Sequence, residues 1–120
     1  PVGFKANNVR ELIALAKAVA DSGDLTRLPT ALDYIQQAVQ LDPDNQQATA
    51  VNTRLMALRA KASLAALAPA DEARYRSAVQ EFQNGNYIQA NAIVEGLLQM
   101  PQYKYSQRLL DLSKKIKARL

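Results

Sequence analysis

The chain contains neither cysteine nor histidine, and these two absences exclude more chemistry than any residue present supplies. Without thiols there is no disulfide framework and no thiolate nucleophile. Without imidazole as well, zinc sites of the usual kind and histidine acid–base catalysis are excluded. No stretch approaches the roughly 18 consecutive apolar residues a membrane span needs. The opening Pro1-Val2-Gly3-Phe4 lacks the charged-then-apolar order of a signal peptide. A start at Pro1 reads as a processed piece of a longer protein, so the lack of a targeting segment decides nothing about compartment. Alternating β-branched residues are almost missing, so no strands are expected. There is no glycine-rich phosphate loop, no serine paired with a base and no carboxylate dyad in a recognisable setting. No catalytic residue is nominated, no cofactor or metal is implied, and the expected role is non-enzymatic.

What is present fits one domain of 120 residues, long enough to bury roughly two-thirds of the surface its unfolded chain exposes. The formal charge is +4 and unevenly spread. From Tyr103 onward Lys104, Arg108, Lys114, Lys115, Lys117 and Arg119 face Asp111 alone.

Helical periodicity broken by short turns dominates the pattern. A first helix is expected from about Val9 to Asp21, its stripe Leu12, Leu15, Ala16 and Val19, with residues 1–8 as a flexible N-terminal segment. Ser22-Gly23-Asp24 stops it, because glycine can take the left-handed conformation that closes a helix. A second starts near Pro29 and runs to Leu41. Asn45 is a plausible N-cap for one long helix reaching toward Pro69. Asp71 and Glu72 open a fourth helix through Tyr75, Ala78, Val79 and Phe82, which Asn84-Gly85-Asn86 closes. A fifth spans Tyr87 to Gln99. A sixth covers roughly Gln102 to Arg119, with Tyr105, Leu109, Leu112, Ile116 and Leu120 as its stripe.

The pattern repeats internally. Gly23-Asp24-Leu25 recurs as Gly85-Asn86-Tyr87; Ala31, Ile35 and Ala38 recur as Ala90, Val94 and Leu97; Pro43 recurs as Pro101; Val51, Leu58 and Ala62 recur as Leu109, Ile116 and Leu120. The first copy carries extra loop residues around Thr26-Arg27-Leu28. Two three-helix units follow, about 9–67 and about 70–120, each a hairpin with a covering helix.

The stretch from Ala31 to Asn45, with Ala31 and Ala38 a helical interval apart and Leu41-Asp42-Pro43 at its exit, resembles the second helix of a tetratricopeptide repeat. Tyr75 to Ala90, with its Gly85-Asn86-Tyr87 turn, resembles the first helix and turn of the same repeat. The resemblance covers roughly Val9 to Leu120. Departures from the family pattern are the extra loop, Pro101 one place early, and no aromatic near the start of either first helix. The resemblance implies an all-α, right-handed α–α superhelix of about six antiparallel helices, acting as a scaffold or adaptor that binds a protein. Its style of repeat resembles bacterial members, among which such domains assist secretion, pilus or outer-membrane assembly; cytoplasm and bacterial envelope both stay open.

Carried over from the family's concave face, the candidate partner-binding residues are Arg10, Ile13 and Lys17, then Gln47, Ala50 and Arg54, then Tyr75, Arg76, Val79 and Gln83. Arginine pairs bidentately with carboxylates, so these cations beside Tyr75 suit an acidic segment of a partner. The plain alternative is that the charges solvate helix faces while Ile13 and Val79 belong to the core. Family members that clamp a terminal carboxylate resemble one another in a Lys–Asn pair, where this chain has Ile13 and Lys17; half the clamp is missing. Lys114, Lys115, Lys117 and Arg119 form a candidate basic patch for a polyanion, although cations at a helix C-terminus are favourable in any case and no aromatic interleaving supports nucleic acid. Self-assembly through an open end of the array is a further alternative. Asp42-Pro43-Asp44-Asn45 is not a calcium loop, since Gln47 and Thr53 stand where glycine and glutamate are required. Asp21 with Asp24, and Asp71 with Glu72, read as helix-end residues.

Overall fold

A computed structural model describes residues 2–120, with side chains from residue 7 onward. Among the described residues the fold is all-α, with six helices and no strands: α1 (Val2–Ser22), α2 (Leu28–Leu41), α3 (Gln46–Leu64), α4 (Pro69–Gln83), α5 (Tyr87–Leu98) and α6 (Gln107–Lys117). The backbone forms two compact units, Pro1–Ala60 and Lys61–Leu120. No described helix is long and apolar enough to cross a membrane.

In the first unit α1 packs against α2. Helix α1 starts at Val2, so its backbone is already helical over part of the stretch assigned to a flexible segment; the side chains of residues 1–6 lie outside the described residues. Its buried stripe is Val9, Ile13, Ala16 and Val19. The expected stripe was rotated, and Leu15 stands 45% exposed. Both sets keep helical spacing and share Ala16 and Val19, so periodicity alone did not choose between Val9 with Ile13 and Leu12 with Leu15. Helix α2 buries Leu28, Ala31, Leu32, Ile35 and Ala38. Ala16, Ala31 and Ala38 have no exposed surface, as expected where small side chains let helix backbones approach. The extra loop residues form a 3-10 turn, Leu25–Arg27, capped by Asp24, whose carboxylate accepts from the Thr26 hydroxyl at 2.7 Å and amide at 3.0 Å. Those bonds hold the Asp24 pKa below its ordinary value, the hydroxyl contributing most. Asn45 caps α3, its Oδ1 accepting from the Ala48 amide at 3.0 Å.

In the second unit α5 packs against both α4 and α6. Ala78, Ala90, Val94, Leu112 and Ile116 form one buried cluster, edged by Tyr75, Val79, Phe82, Tyr87, Ile93 and Leu98. Leu67, Leu97, Tyr103 and Leu109 form another. The α4–α5 turn closes as a Schellman motif. Asn86 N–H donates to Glu81 C=O at 2.8 Å and Gly85 N–H to Phe82 C=O at 3.1 Å, with Gly85 at φ 82°. Phe82 and Tyr87 bracket that turn, ring centroids 5.5 Å apart.

The expected sixth helix is two elements. Pro101–Tyr103 forms a 3-10 turn, Ser106 caps α6, and the helix begins only at Gln107. Periodicity ran unbroken through the kink, which hid it. The aromatic that enters the core is Tyr103, 7% exposed, rather than Tyr105. Leu120 lies past the helix end and is 64% exposed. The Tyr103 hydroxyl donates to Asp71 Oδ2 at 2.6 Å and accepts from the Ala68 amide at 2.9 Å, tying this turn to the start of α4. Burial first, and donation to Asp71 second, push the Tyr103 pKa above its ordinary value.

Candidate functional site

Helices α1 and α3 flank a cleft in the first unit, of about 320 Å³. It is lined by Arg10, Ile13, Ala14 and Lys17 from α1 and by Gln47, Ala50, Val51 and Arg54 from α3. The six candidate residues of this unit therefore come together, joined by Ala14 and Val51. The periodicity explains the arrangement: positions 10, 13, 14 and 17 share one face of α1, and 47, 50, 51 and 54 share one face of α3. Ile13 is 6% exposed, so it floors the cleft and belongs to the core at once, which corrects its reading as a presented contact. With Ala14, Ala50 and Val51 it makes an apolar floor; Arg10, Lys17 and Arg54 supply the rim.

Two of those cations share an internal anion. Arg54 Nη2 lies 2.7 Å from Asp21 Oδ1, and Lys17 Nζ lies 2.9 Å from Asp21 Oδ2. Asp21 is therefore an ion-pair centre, not a capping residue. It sits in the last turn of α1, where the helix dipole disfavours an anion, so its charge is stabilised by side chains. Arg54 chiefly, and Lys17 next, hold its pKa below the ordinary value. Arg10 makes no ion pair among the described residues.

A second cleft, of about 360 Å³, lies within the second unit. Tyr75, Val79, Phe82 and Gln83 of α4 line one side, and Arg108, Asp111, Leu112 and Lys115 of α6 the other. Three of the four candidate residues of this unit, Tyr75, Val79 and Gln83, are thus brought together. Arg76 is not among the lining residues; it projects 78% exposed, 3.8 Å from Glu72.

One of its lining residues, Arg108, also bridges α6 to α4. Arg108 donates to both oxygens of Glu72, each at 2.8 Å, while its guanidinium lies 4.3 Å from the centre of the Tyr75 ring. The bidentate pair lowers the Glu72 pKa and raises that of Arg108. Glu72 consequently does more than favour a helix start. The α6 residues of this cleft were not expected from the sequence as cleft residues; the internal repeat carried the signal for two of them, since Ala50 and Arg54 of α3 fall on Arg108 and Leu112, and none for Asp111 and Lys115.

The basic residues of the last helix and its end differ in their surroundings. Lys117 pairs with Glu95 at 3.1 Å, Arg119 lies 6.0 Å from the centre of the Tyr87 ring, Lys115 lines the cleft and Lys114 is exposed. Among the described residues no group of three acidic, histidine or cysteine side chains could hold a metal ion.

Comparison with known proteins adds two relationships. Residues 67–120, the stretch holding α4, α5 and α6, match the family model TP_0855_C, described as C-terminal. Over 105 residues the chain is 33% identical to an uncharacterized protein of Treponema pallidum (strain Nichols). That similarity covers 88% of this chain but only 9% of the relative's length. No solved structure matches.

Proposed function

We propose that this chain is a tetratricopeptide-like protein-interaction module, its helices arranged as a right-handed α–α superhelix, which holds a peptide or helix of a partner without catalysing a reaction. The observation that carries this reading is the first cleft, where residues of α1 and α3 converge as an apolar floor under a cationic rim. A site of that composition suits a segment bearing an apolar side chain and carboxylates, since apolar contact supplies area while charge supplies orientation and encounter rate. Left-handed glycines at matching turns, Gly23 at φ 70° and Gly85 at φ 82°, support the repeat reading. The relative's much greater length suits a module that works within a larger chain or assembly.

The test is affinity capture from source-cell extract, comparing the wild-type protein with a folded variant in which Arg10, Lys17, Arg54 and Arg76 are neutralised. A partner retained by the first and lost by the second is the expected result. Equal capture by both moves the binding surface elsewhere, and no capture removes the adaptor role.

A further inference from the structure

The two units solve the same electrostatic problem differently. The register that places buried Ala16 on buried Ala78 also places Arg10 on Glu72, and the register that places Val51 on Leu109 places Ala50 on Arg108. In the second unit those two positions carry opposite charges and close on each other at 2.8 Å. In the first they carry a cation and a methyl group. The cleft there keeps a cationic rim, and the carboxylate that joins its two helices, Asp21, is set one turn beyond Lys17, where it engages Lys17 and Arg54. Like Glu72 in the second unit, Asp21 is not itself among the residues lining the cleft.

We propose that Asp21 is an internal competitor for the cleft cations: a partner segment with an apolar side chain and carboxylates seats on the first unit by taking Arg54 and Lys17 from Asp21. This rests on the interaction reading above and gives the partner's chemistry. Charge complementarity selects the occupant, because the rim presents Arg10, Lys17 and Arg54 around an apolar floor. The exchange is inexpensive. Lys17, Asp21 and Arg54 are each about half exposed, and exposed ion pairs are weak enough to be replaced by an equivalent carboxylate. Asp21 thereby sets a charge requirement, since a purely apolar segment gains nothing from the rim and leaves the internal pairs intact.

The experiment uses the whole chain and a fluorescent amphipathic peptide of leucine and glutamate, with a lysine-for-glutamate peptide as the control. Wild type is expected to bind the acidic peptide in a salt-sensitive manner and to ignore the basic one. Asp21→Asn, which keeps the shape and removes the charge, is expected to bind the acidic peptide about two- to fivefold more tightly, the range an exposed pair of this kind supports. In an Arg54→Gln, Lys17→Gln background the same change should bring no gain. Unchanged or weaker binding by Asp21→Asn overturns the competitor role, a weaker result meaning that Asp21 instead pre-positions the cations. Failure of the acidic peptide to bind either protein overturns the acidic partner, while the interaction reading itself is judged separately by the capture experiment. Thermal unfolding of each variant verifies that the fold is retained.

Discussion

Each unit joins the two helices of its cleft with an ion pair, but the first uses the singly bonded, half-exposed Asp21–Arg54 pair under a cationic rim and the second the bidentate Glu72–Arg108 pair stacked on Tyr75. Both clefts are built from one face of a hairpin's first helix and one face of the covering helix. The difference comes down to two pairs of matched positions, Arg10 with Ala50 and Glu72 with Arg108. A bidentate pair stacked on Tyr75 is the tighter of the two, whereas Asp21 meets Lys17 and Arg54 through one oxygen each from half-exposed positions. On the proposed reading the first unit, whose cations are the more loosely paired, is the one on which a search for partners should concentrate.

The sharpest way to break this comparison is to give the first unit the second unit's bridge. Arg10→Glu combined with Ala50→Arg should replace the Arg10 cation by an internally paired carboxylate and reduce partner capture by about tenfold, the cost of losing one charged anchor. Retained capture in a folded variant would show that the cleft is not the binding surface. Within the second unit, Ile116→Ala removes a fully buried side chain and should cost about 2–5 kcal/mol in urea unfolding. Tyr103→Phe leaves the Ala68 amide and Asp71 without their shared hydroxyl; a loss of about 1–3 kcal/mol is expected in the same assay. Arg108→Ala should fall below both, yet above Arg76→Ala, because Arg76 makes only a 3.8 Å contact from an exposed position.

The smallest effect is on pH dependence. Asp21 and Glu72 both have pKa values lowered by their cationic partners, from ordinary values of 3.8 and 4.5. A carboxylate lowered in the folded state contributes stability that is present above its ordinary value and lost as pH falls through the folded one. Thermal unfolding followed from about pH 5 down to about pH 3 should therefore show a steeper acid loss in wild type than in the Asp21→Asn, Glu72→Gln protein. Parallel curves would show that neither ion pair matters to stability.

Much of this was legible in the sequence, and the parts that were not have physical reasons. Helix positions followed from glycine, proline and cap chemistry, which act locally. The cleft residues of α1 followed from the tetratricopeptide resemblance, while the apolar stripe beside them was right at Ala16 and Val19 and missed Val9 and Ile13. The kink at Ser106 was hidden because apolar spacing continues across it, while the cap that breaks the helix is a single small hydroxyl. Asp21 was misread because its main partner, Arg54, lies on another helix, and pairings between helices leave no periodic trace. Arg108 with Glu72 escaped for the same reason.

Tyr103 has an optical consequence. The chain contains no tryptophan, so its near-ultraviolet signal comes mainly from five tyrosines. Tyr103 is held in its neutral form by burial and by donation to Asp71, so it ionises late in an alkaline titration. A pKa raised in this way means stability that is complete below the ordinary value of 10.0 and lost as pH climbs through the folded one. The tyrosinate absorbance of this residue, isolated by difference against Tyr103→Phe, would therefore report the moment its turn lets go of α4, giving the second unit a gauge of its own integrity without any added dye.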